Sequence, residues 1–422
     1  MSDAREHALN ILEQFRKTNY RLKYLTDSYY NDTHISTSDR QRTLVLTREV
    51  LRWKRRLDLW IDSALTKPIN TLQPRLLTLL EIAVYELIMD DKTPDYAVIH
   101  SAVELTKKRV GRHTSGLVNA VLRKLKNVDK DTKPDNATFS EWVSMPEWLY
   151  RRWESQFGDD VTHLCLMLNT PANLTVRRNV LKIDEATFIE LLLQDNILCE
   201  TIPGTDRFYH VKKGGDKLRH HPLFLNSSFS FQDRGAGMVV ELLDPQPGET
   251  LLDVCAAPGT KALYCGERMN ADGEILAYDS NPERVNLGKH DVQRHEMTNI
   301  QWGVKDATKD VYPMADRIMV DAPCTGTGVI GRRPDIKWRR SPEQIHEMSS
   351  LQLDILQNVS QYVKPGGILL YSTCSLEPEE NWNVVEAFLK LNDGFHVKDT
   401  LELSPHTSHT DGMYAVKMER KI

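Results

Sequence analysis

Along the first third of the chain, apolar residues recur at the spacing of a helix. In AREHALNILEQF, Ala4, Ala8, Ile11, Leu12 and Phe15 share one stripe at a 3.6-residue period. The segment STSDRQRTLVLTREVLRWKRRLDLWIDSAL opens on Ser38 with Gln41 three residues on, the form of a capping box. Its pattern buries Leu44, Leu51 and Leu59 and leaves Arg48, Arg52, Arg55 and Arg56 outside. PRLLTLLEIAVYELIM is apolar nearly all round, which predicts the central helix of a bundle. DYAVIHSAVELTKKRV and SGLVNAVLRKLK complete the bundle, and the polar NVDKDTKPDNATFS reads as a linker.

The middle of the chain is mixed. ANLTVRRNV and RFYHV alternate as strands do, while MPEWLYRRWESQFG and DEATFIELLLQDN have helical spacing. From about residue 248 the rhythm changes to short apolar runs between amphipathic segments. ETLLDVC, EILAYD, NIQWGV, RIMVDA, GILLYS and MYAVKM predict strands; 282–295, 342–362 and 379–391 predict helices. The expected fold is multi-domain: an all-α bundle over 1–130, a small α+β domain over 141–235, and a doubly wound α/β domain over 236–422. In such a sheet, ligands sit at the carboxyl ends of the strands.

Composition fits globular domains, with 40% hydrophobic and 27% charged residues. The start is polar and no apolar run is long enough to span a membrane, so the expected location is the cytoplasm. The six cysteines form no CxxC pair, so neither a zinc site nor a disulfide framework is expected. The net charge of −5 is uneven: residues 1–130 hold 23 basic and 16 acidic side chains, the rest 31 and 43. A basic module on an acidic body points to a polyanion partner, with Lys107, Lys108 and Arg109 in the densest basic cluster.

The loop LLDVCAAPGTKA follows the first strand of the α/β domain, with Cys255, Ala256, Ala257, Pro258, Gly259, Thr260 and Lys261 in line. It is neither GxGxxG nor a P-loop, which argues against a dinucleotide or a nucleoside triphosphate. Acids instead close successive strands: Asp253, Asp279, Asp306 and Asp321. Asp279 is placed for ribose hydroxyls and Asp306 for an adenine amine. Acids without a phosphate cradle suit S-adenosylmethionine, a cationic cofactor.

DAPCTGTGVIGRRPDIKW and YSTCSLEPEEN each place a cysteine just past a strand end. Together with DVCAAPGTKA, GLVNAVLRK, MPEWL, QDRGAG and DGMYAVK, they resemble the RsmB (Fmu/Sun) family of 16S ribosomal RNA 5-methylcytosine methyltransferases over nearly the full length. The resemblance implies a NusB-like RNA-binding domain at the N-terminus, a Rossmann-like catalytic domain, and modification of cytosine 967. The chemistry explains two thiols: carbon 5 of cytosine becomes nucleophilic only after a thiolate adds to carbon 6, and the enzyme must afterwards be expelled. The residues leave open which cysteine attacks. The resemblance assigns attack to Cys374 and release to Cys324; Asp321 is placed to hydrogen-bond the cytosine edge, ideally as a protonated acid on N3, where charge develops during attack. Lys261, retained from the family motif, is placed to contact the methionine carboxylate or to stabilise the loop, and Arg284, on the helix after Asp279, to brace that acid.

Thr260 stands where the family has a second glycine, and a left-handed conformation there would be strained. The basic loop around Arg332, Arg333 and Lys337, with Trp338 among them, suits a flipped base and its flanking phosphates. No metal is expected, and the default oligomeric state is a monomer. Three rivals remain: the same chemistry on another ribosomal or transfer RNA position, an amino-group methyltransferase, and a noncatalytic RNA-binding assembly factor. DAPC departs from the Asn/Asp-Pro-Pro-aromatic loop of the second, and the intact Asp321, Cys324 and Cys374 argue against the third.

Overall fold

The computed structural model describes residues 3–90 and 92–422. The chain up to Thr170, with Ile330–Arg340, forms one compact unit; Pro171–Val329 with Ser341–Ile422 forms the other.

The first unit is helical: α1 (Ala4–Lys17), α2 (Leu22–Asp32), α3 (Thr37–Ala64), α4 (Pro74–Ile88), α5 (Asp95–Arg109) and α6 (Ser115–Leu125). The expected stripe of α1 is buried throughout, and α4 is indeed central, packing on α1, α3, α5 and α6. Two expectations for α3 fail. The helix starts earlier than Ser38: Ser36 is the N-cap, its hydroxyl accepting from the Asp39 amide at 3.1 Å. Arg52 and Arg56 are buried rather than outside. Arg52 donates to the Gly331 carbonyl at 3.0 Å, and the Arg56 guanidinium lies 3.7 Å from the centre of the Trp142 ring. Apolar stems and saturated polar heads let these arginines enter a core that periodicity alone reserves for aliphatics.

The short helices between residues 139 and 168, read from sequence as part of the middle domain, belong to this unit. So does the basic loop. Lys337, expected to face RNA, is 1% exposed. Its ammonium donates to the carbonyls of Arg52 and Ser144, each at 2.6 Å, and to Asn169 Oδ1 at 2.8 Å. The Trp338 indole donates to the Leu51 carbonyl at 2.6 Å. An amine with three protein acceptors, its pKa pulled well down by burial and by the Arg52 charge, is a structural brace, not a phosphate contact.

The second unit holds two sheets. The smaller orders its strands β2-β3-β1-β4, all antiparallel: β1 (Thr175–Arg178), β2 (Leu198–Thr201), β3 (Phe208–Lys213) and β4 (Phe229–Phe231). β1 and β3 lie where the sequence pattern predicts them; β2 and β4, four and three residues long, were not anticipated. The larger sheet runs β10-β11-β9-β8-β5-β6-β7. Its strands are β5 (Thr250–Asp253), β6 (Glu274–Asp279), β7 (Ile300–Val304), β8 (Ala315–Asp321), β9 (Val363–Thr373), β10 (Phe395–Leu403) and β11 (Met413–Arg420). Five are parallel; β11 pairs antiparallel to β9, and β10 pairs antiparallel to β11 at the edge. β10 was not expected, because its FHVKDTLEL is half polar, as an edge strand tolerates. Two apolar cores line the sheet's faces, one around Leu251, Leu263 and Met319, the other around Leu252, Val320 and Phe388.

Candidate active site

β8 and β9 are parallel neighbours, with Asp321 paired in register to Ser372. Their carboxyl ends therefore release two loops side by side, one carrying Cys324 and the other Cys374. The two sulfurs stand 3.2 Å apart. The loops also touch through backbone: Gly328 donates to the Cys374 carbonyl at 3.0 Å, and Gly412 donates to the Gly328 carbonyl at 2.9 Å. A Cβ on Gly328 would lie 2.5 Å from the Gly412 oxygen, so only glycine permits this approach. The DGMYAVK motif thereby finds a role, since it brings Gly412 to that contact.

Asp321 accepts from the Lys261 ammonium at 2.7 Å and from the Ser372 hydroxyl at 3.0 Å. Burial pulls the Lys261 pKa down, but the Asp321 charge more than offsets this and leaves it above the ordinary value; Cys374 lies close enough to add to the effect. The Cys324 thiol is held well above the usual range, first by its hydrogen bond to Cys374 and by burial, then by the charges of Cys374 and Glu380. Lys261 thus lies close to Cys374, while the contact with Cys374, burial and the Glu380 side chain oppose ionisation of Cys324.

The loop from Cys255 to Lys261 links β5 to the helix Thr260–Arg268. Gly259 caps that helix at φ +111°, and a Cβ there would meet the Trp302 ring at 2.8 Å. The left-handed position falls on Gly259 and not on Thr260, so the threonine opens the helix without the strain anticipated for it. Gly259→Ala is expected to weaken S-adenosylmethionine binding about tenfold in calorimetric titration, since ~1–3 kcal/mol of backbone strain would be relieved only by moving the loop. An unchanged affinity would show that the loop gives way freely.

Asp279, at the end of β6, is buried. It accepts from the amides of Ala257 at 3.3 Å and Asn281 at 3.0 Å, and Arg284 braces it at 3.2 Å, as anticipated. Arg284 also donates to the Ala257 carbonyl, joining the acid to the loop. Asp306, beyond β7, turns one oxygen to the Thr308 amide and hydroxyl, at 3.0 and 2.7 Å. Asp253 is the acid that no role was found for. It is buried, neither oxygen has a hydrogen-bond partner of ordinary geometry, and burial with the nearby Asp321 charge lifts its pKa well above the carboxylate range. An orphaned buried acceptor beside a glycine turn fits a ligand that brings a positive charge and donors. Cys255 is half-buried, and its thiol is raised by burial and by Asp253.

The basic cluster of the first unit is less free than its sequence implies. Lys107 pairs with Glu104 at 2.7 Å, and Lys108 with Glu6 at 2.8 Å, where Arg109 also binds. Arg332 and Arg333 are half-buried. Sequence reasoning passed over Ser372 and noted Asp253 without giving it a role. The first lies inside YSTCS and the second at the end of the first strand of the α/β domain, so adjacency to a cysteine or a cofactor loop was the available signal.

Comparison with known proteins matches residues 240–419 to the family described as 16S rRNA methyltransferase RsmB/F, residues 2–127 to the NusB family, and residues 145–208 to an RsmF/B-like ferredoxin-like domain. The chain is 30% identical to the probable ribosomal RNA small subunit methyltransferase B of Bacillus subtilis, covering 100% of this chain and 99% of that protein. It is 31% identical to ribosomal RNA small subunit methyltransferase B of Pectobacterium atrosepticum, over 90% of this chain and 91% of the relative. Among solved structures, that of PH0851 covers both chains fully at a TM-score of 0.80 and 25% identity. A methyltransferase homologue from Pyrococcus horikoshii, 24% identical, shares the fold over 68% of this chain and 100% of its own, at a TM-score of 0.61.

Proposed function

The chain belongs to the RsmB/F family of 16S ribosomal RNA methyltransferases, and on that premise we propose that it methylates carbon 5 of a cytosine in 16S ribosomal RNA, by resemblance the one at position 967. The observation that carries this reading is the 3.2 Å approach of two thiols beside an ion pair, Lys261 with Asp321. Methylation of an exocyclic amine needs no thiol; a ring carbon that must first be activated needs one and profits from two.

The ion pair matches the base. Its ammonium and carboxylate offer a donor beside an acceptor, the complement of cytosine, which carries an acceptor at N3 beside the donor of its 4-amino group; uracil inverts that order. In this arrangement Asp321 accepts and Lys261 donates. We therefore assign N3 to Lys261 and the amino group to Asp321, in place of a protonated Asp321 on N3. Cys374, on the side of the cation, adds to carbon 6; the sulfur–carbon bond forms as the ring's electrons move toward carbon 5 and N3, where Lys261 stabilises the developing charge. When bound, S-adenosylmethionine supplies an electrophilic methyl group. Loss of the carbon-5 proton to water then restores the ring double bond and breaks the sulfur–carbon bond, so that Cys374 leaves as a thiolate, with the Cys324 thiol assisting by donating to the departing sulfur.

Toward the cofactor, the loop from Cys255 to Lys261 lets a ligand approach the backbone, Asp279 accepts from the ribose hydroxyls, Asp306 takes the adenine amine, and Asp253 faces the ammonium of the methionine end. Arg332, Arg333, Lys107, Lys108 and Arg109 stand for contacts to the RNA backbone, and Lys337 is withdrawn from that set.

The reading is tested by incubating the protein with unmodified 16S ribosomal RNA and methyl-labelled S-adenosylmethionine, then digesting the RNA to nucleosides. Label in 5-methylcytidine at a single position is the expected result. Label in N4-methylcytidine, which separates chromatographically, would sink the carbon-5 assignment.

A further inference from the structure

The LEPEEN segment beyond Cys374 takes no part in the steps above, yet it holds the most heavily hydrogen-bonded carboxylate near the thiols. Glu380 is 0% exposed. It accepts from the Thr325 amide at 2.8 Å and from the Thr325 hydroxyl. It also accepts from the Ser375 hydroxyl at 2.7 Å and from the Gln352 side-chain amide at 3.1 Å. Thr325 immediately follows Cys324, and Ser375 immediately follows Cys374. Gln352, on the helix Pro342–Ser360, also donates to the carbonyl of Pro323 at 2.9 Å, just before Cys324. Asn381 continues the grip: it accepts from the Thr373 hydroxyl at 2.6 Å and donates to the Ser375 carbonyl at 3.0 Å, so it holds the residue on each side of Cys374. The Tyr371 hydroxyl fixes the backbone of the clamp by donating to the Glu380 carbonyl at 2.5 Å.

Burying a carboxylate costs several kcal/mol unless its acceptor capacity is filled. Here every donor comes from a residue bordering one of the thiols, or from the helix behind them. A purely structural carboxylate has no need to draw its partners from both cysteine loops and from little else. We infer that Glu380 is a positioning residue for methyl transfer: its carboxylate ties the Cys324 loop to the Cys374 loop and sets the 3.2 Å separation of the two sulfurs. Its consequence for turnover rests on the roles proposed above for the cysteines; its consequence for thiol spacing does not. Separating the sulfurs matters because reacting groups misplaced by about 1 Å lose on the order of 10²-fold in rate.

Both consequences can be read on the full chain. Diamide joins neighbouring thiols by taking up the two electrons and two protons they release, so the rate at which Cys324 and Cys374 form a disulfide reports their spacing without RNA or cofactor. Glu380→Gln keeps the side-chain size but replaces one acceptor oxygen with a donor that opposes the Thr325 or Ser375 donors. It is expected to slow disulfide formation about tenfold or more and to lower kcat by ~10–100-fold, with KM for S-adenosylmethionine within about twofold of wild type. Glu386→Gln, on the exposed side of the following helix, serves as the control and should change neither. An unchanged disulfide rate in Glu380→Gln, whatever the turnover, overturns the clamp. A slowed disulfide with unchanged kcat overturns its role in the reaction, and with it the assignment of the thiols as partners in turnover. Should Glu380→Gln fail to fold, Thr325→Val removes a single hydroxyl donor at constant shape and is held to the same two readouts at several-fold effects.

Discussion

Cys374→Ala is expected to lower methyl transfer by about four orders of magnitude or more and to abolish covalent capture of RNA carrying 5-fluorocytidine. In the proposed mechanism the thiolate does more than assist. Without addition at carbon 6, carbon 5 has no electron pair to offer, so no other part of the site can compensate. Fluorine at carbon 5 cannot leave as a proton does, so wild-type protein with cofactor should remain bonded to such RNA and migrate as a conjugate in denaturing electrophoresis. Cys324→Ala separates the two roles. It keeps the attacking sulfur and the Lys261–Asp321 pair, so it should trap an adduct on ordinary RNA, where wild type releases product. The surroundings of Cys324 are in keeping with this order: its hydrogen bond to Cys374 and its burial push its thiol up. Capture by Cys374→Ala together with none by Cys324→Ala would reverse the assignment.

The second large effect lies away from the thiols. Arg177, on β1, and Glu267, on the helix that follows the cofactor loop, form an ion pair at 2.6 Å in which both side chains are 0% exposed. Arg177 also binds Gln232, lies 4.4 Å from the centre of the Tyr264 ring, and reaches the Thr260 carbonyl at 3.5 Å. It therefore joins the small sheet to the first turn of the helix behind Gly259. Arg177→Met would leave Glu267 charged, buried and unpaired, at a cost of about 3–5 kcal/mol. Urea denaturation should show that loss. Combining Arg177→Met with Glu267→Leu should recover a substantial part of it, because the isolated charge is then gone. Affinity for S-adenosylmethionine should fall in the single variant, since the helix carrying Lys261 loses an anchor. A loss below about 1 kcal/mol would mean that relaxation or water replaces the pair, and that other contacts between the two sheets carry their junction.

Much of the fold was legible because its signals are local. The α1 stripe, the apolar α4, and the βαβ rhythm from residue 248 each follow from spacing within a dozen or so residues. β6 and the helix Pro282–His295 begin and end where pattern and proline place them. The misreadings share a different cause. Arg52, Arg56 and Lys337 carry charges that spacing assigns to solvent, yet carbonyls and aromatic rings from distant segments satisfy them in the core. Ser36 displaced Ser38 as the cap of α3 because its hydroxyl accepts from the Asp39 amide and donates to the Asp39 carboxylate. β10 escaped notice because an edge strand needs an apolar residue only where it meets its neighbour.

The candidate site divides along the same line. By itself the sequence determined the kinds of group present: two cysteines just past strand ends, a run of acids closing strands, and a glycine turn without a phosphate cradle. Those follow from residue identity and local period. Tertiary structure alone decided how these groups meet. Parallel pairing of β8 with β9 put Asp321 beside Ser372 and brought Cys324 within 3.2 Å of Cys374. The helix after Gly259 carried Lys261 to Asp321, and the buried Glu380 tied both cysteine loops together. Such contacts join residues far apart in the chain, and their geometry comes from strand register and helix packing, which no local pattern encodes.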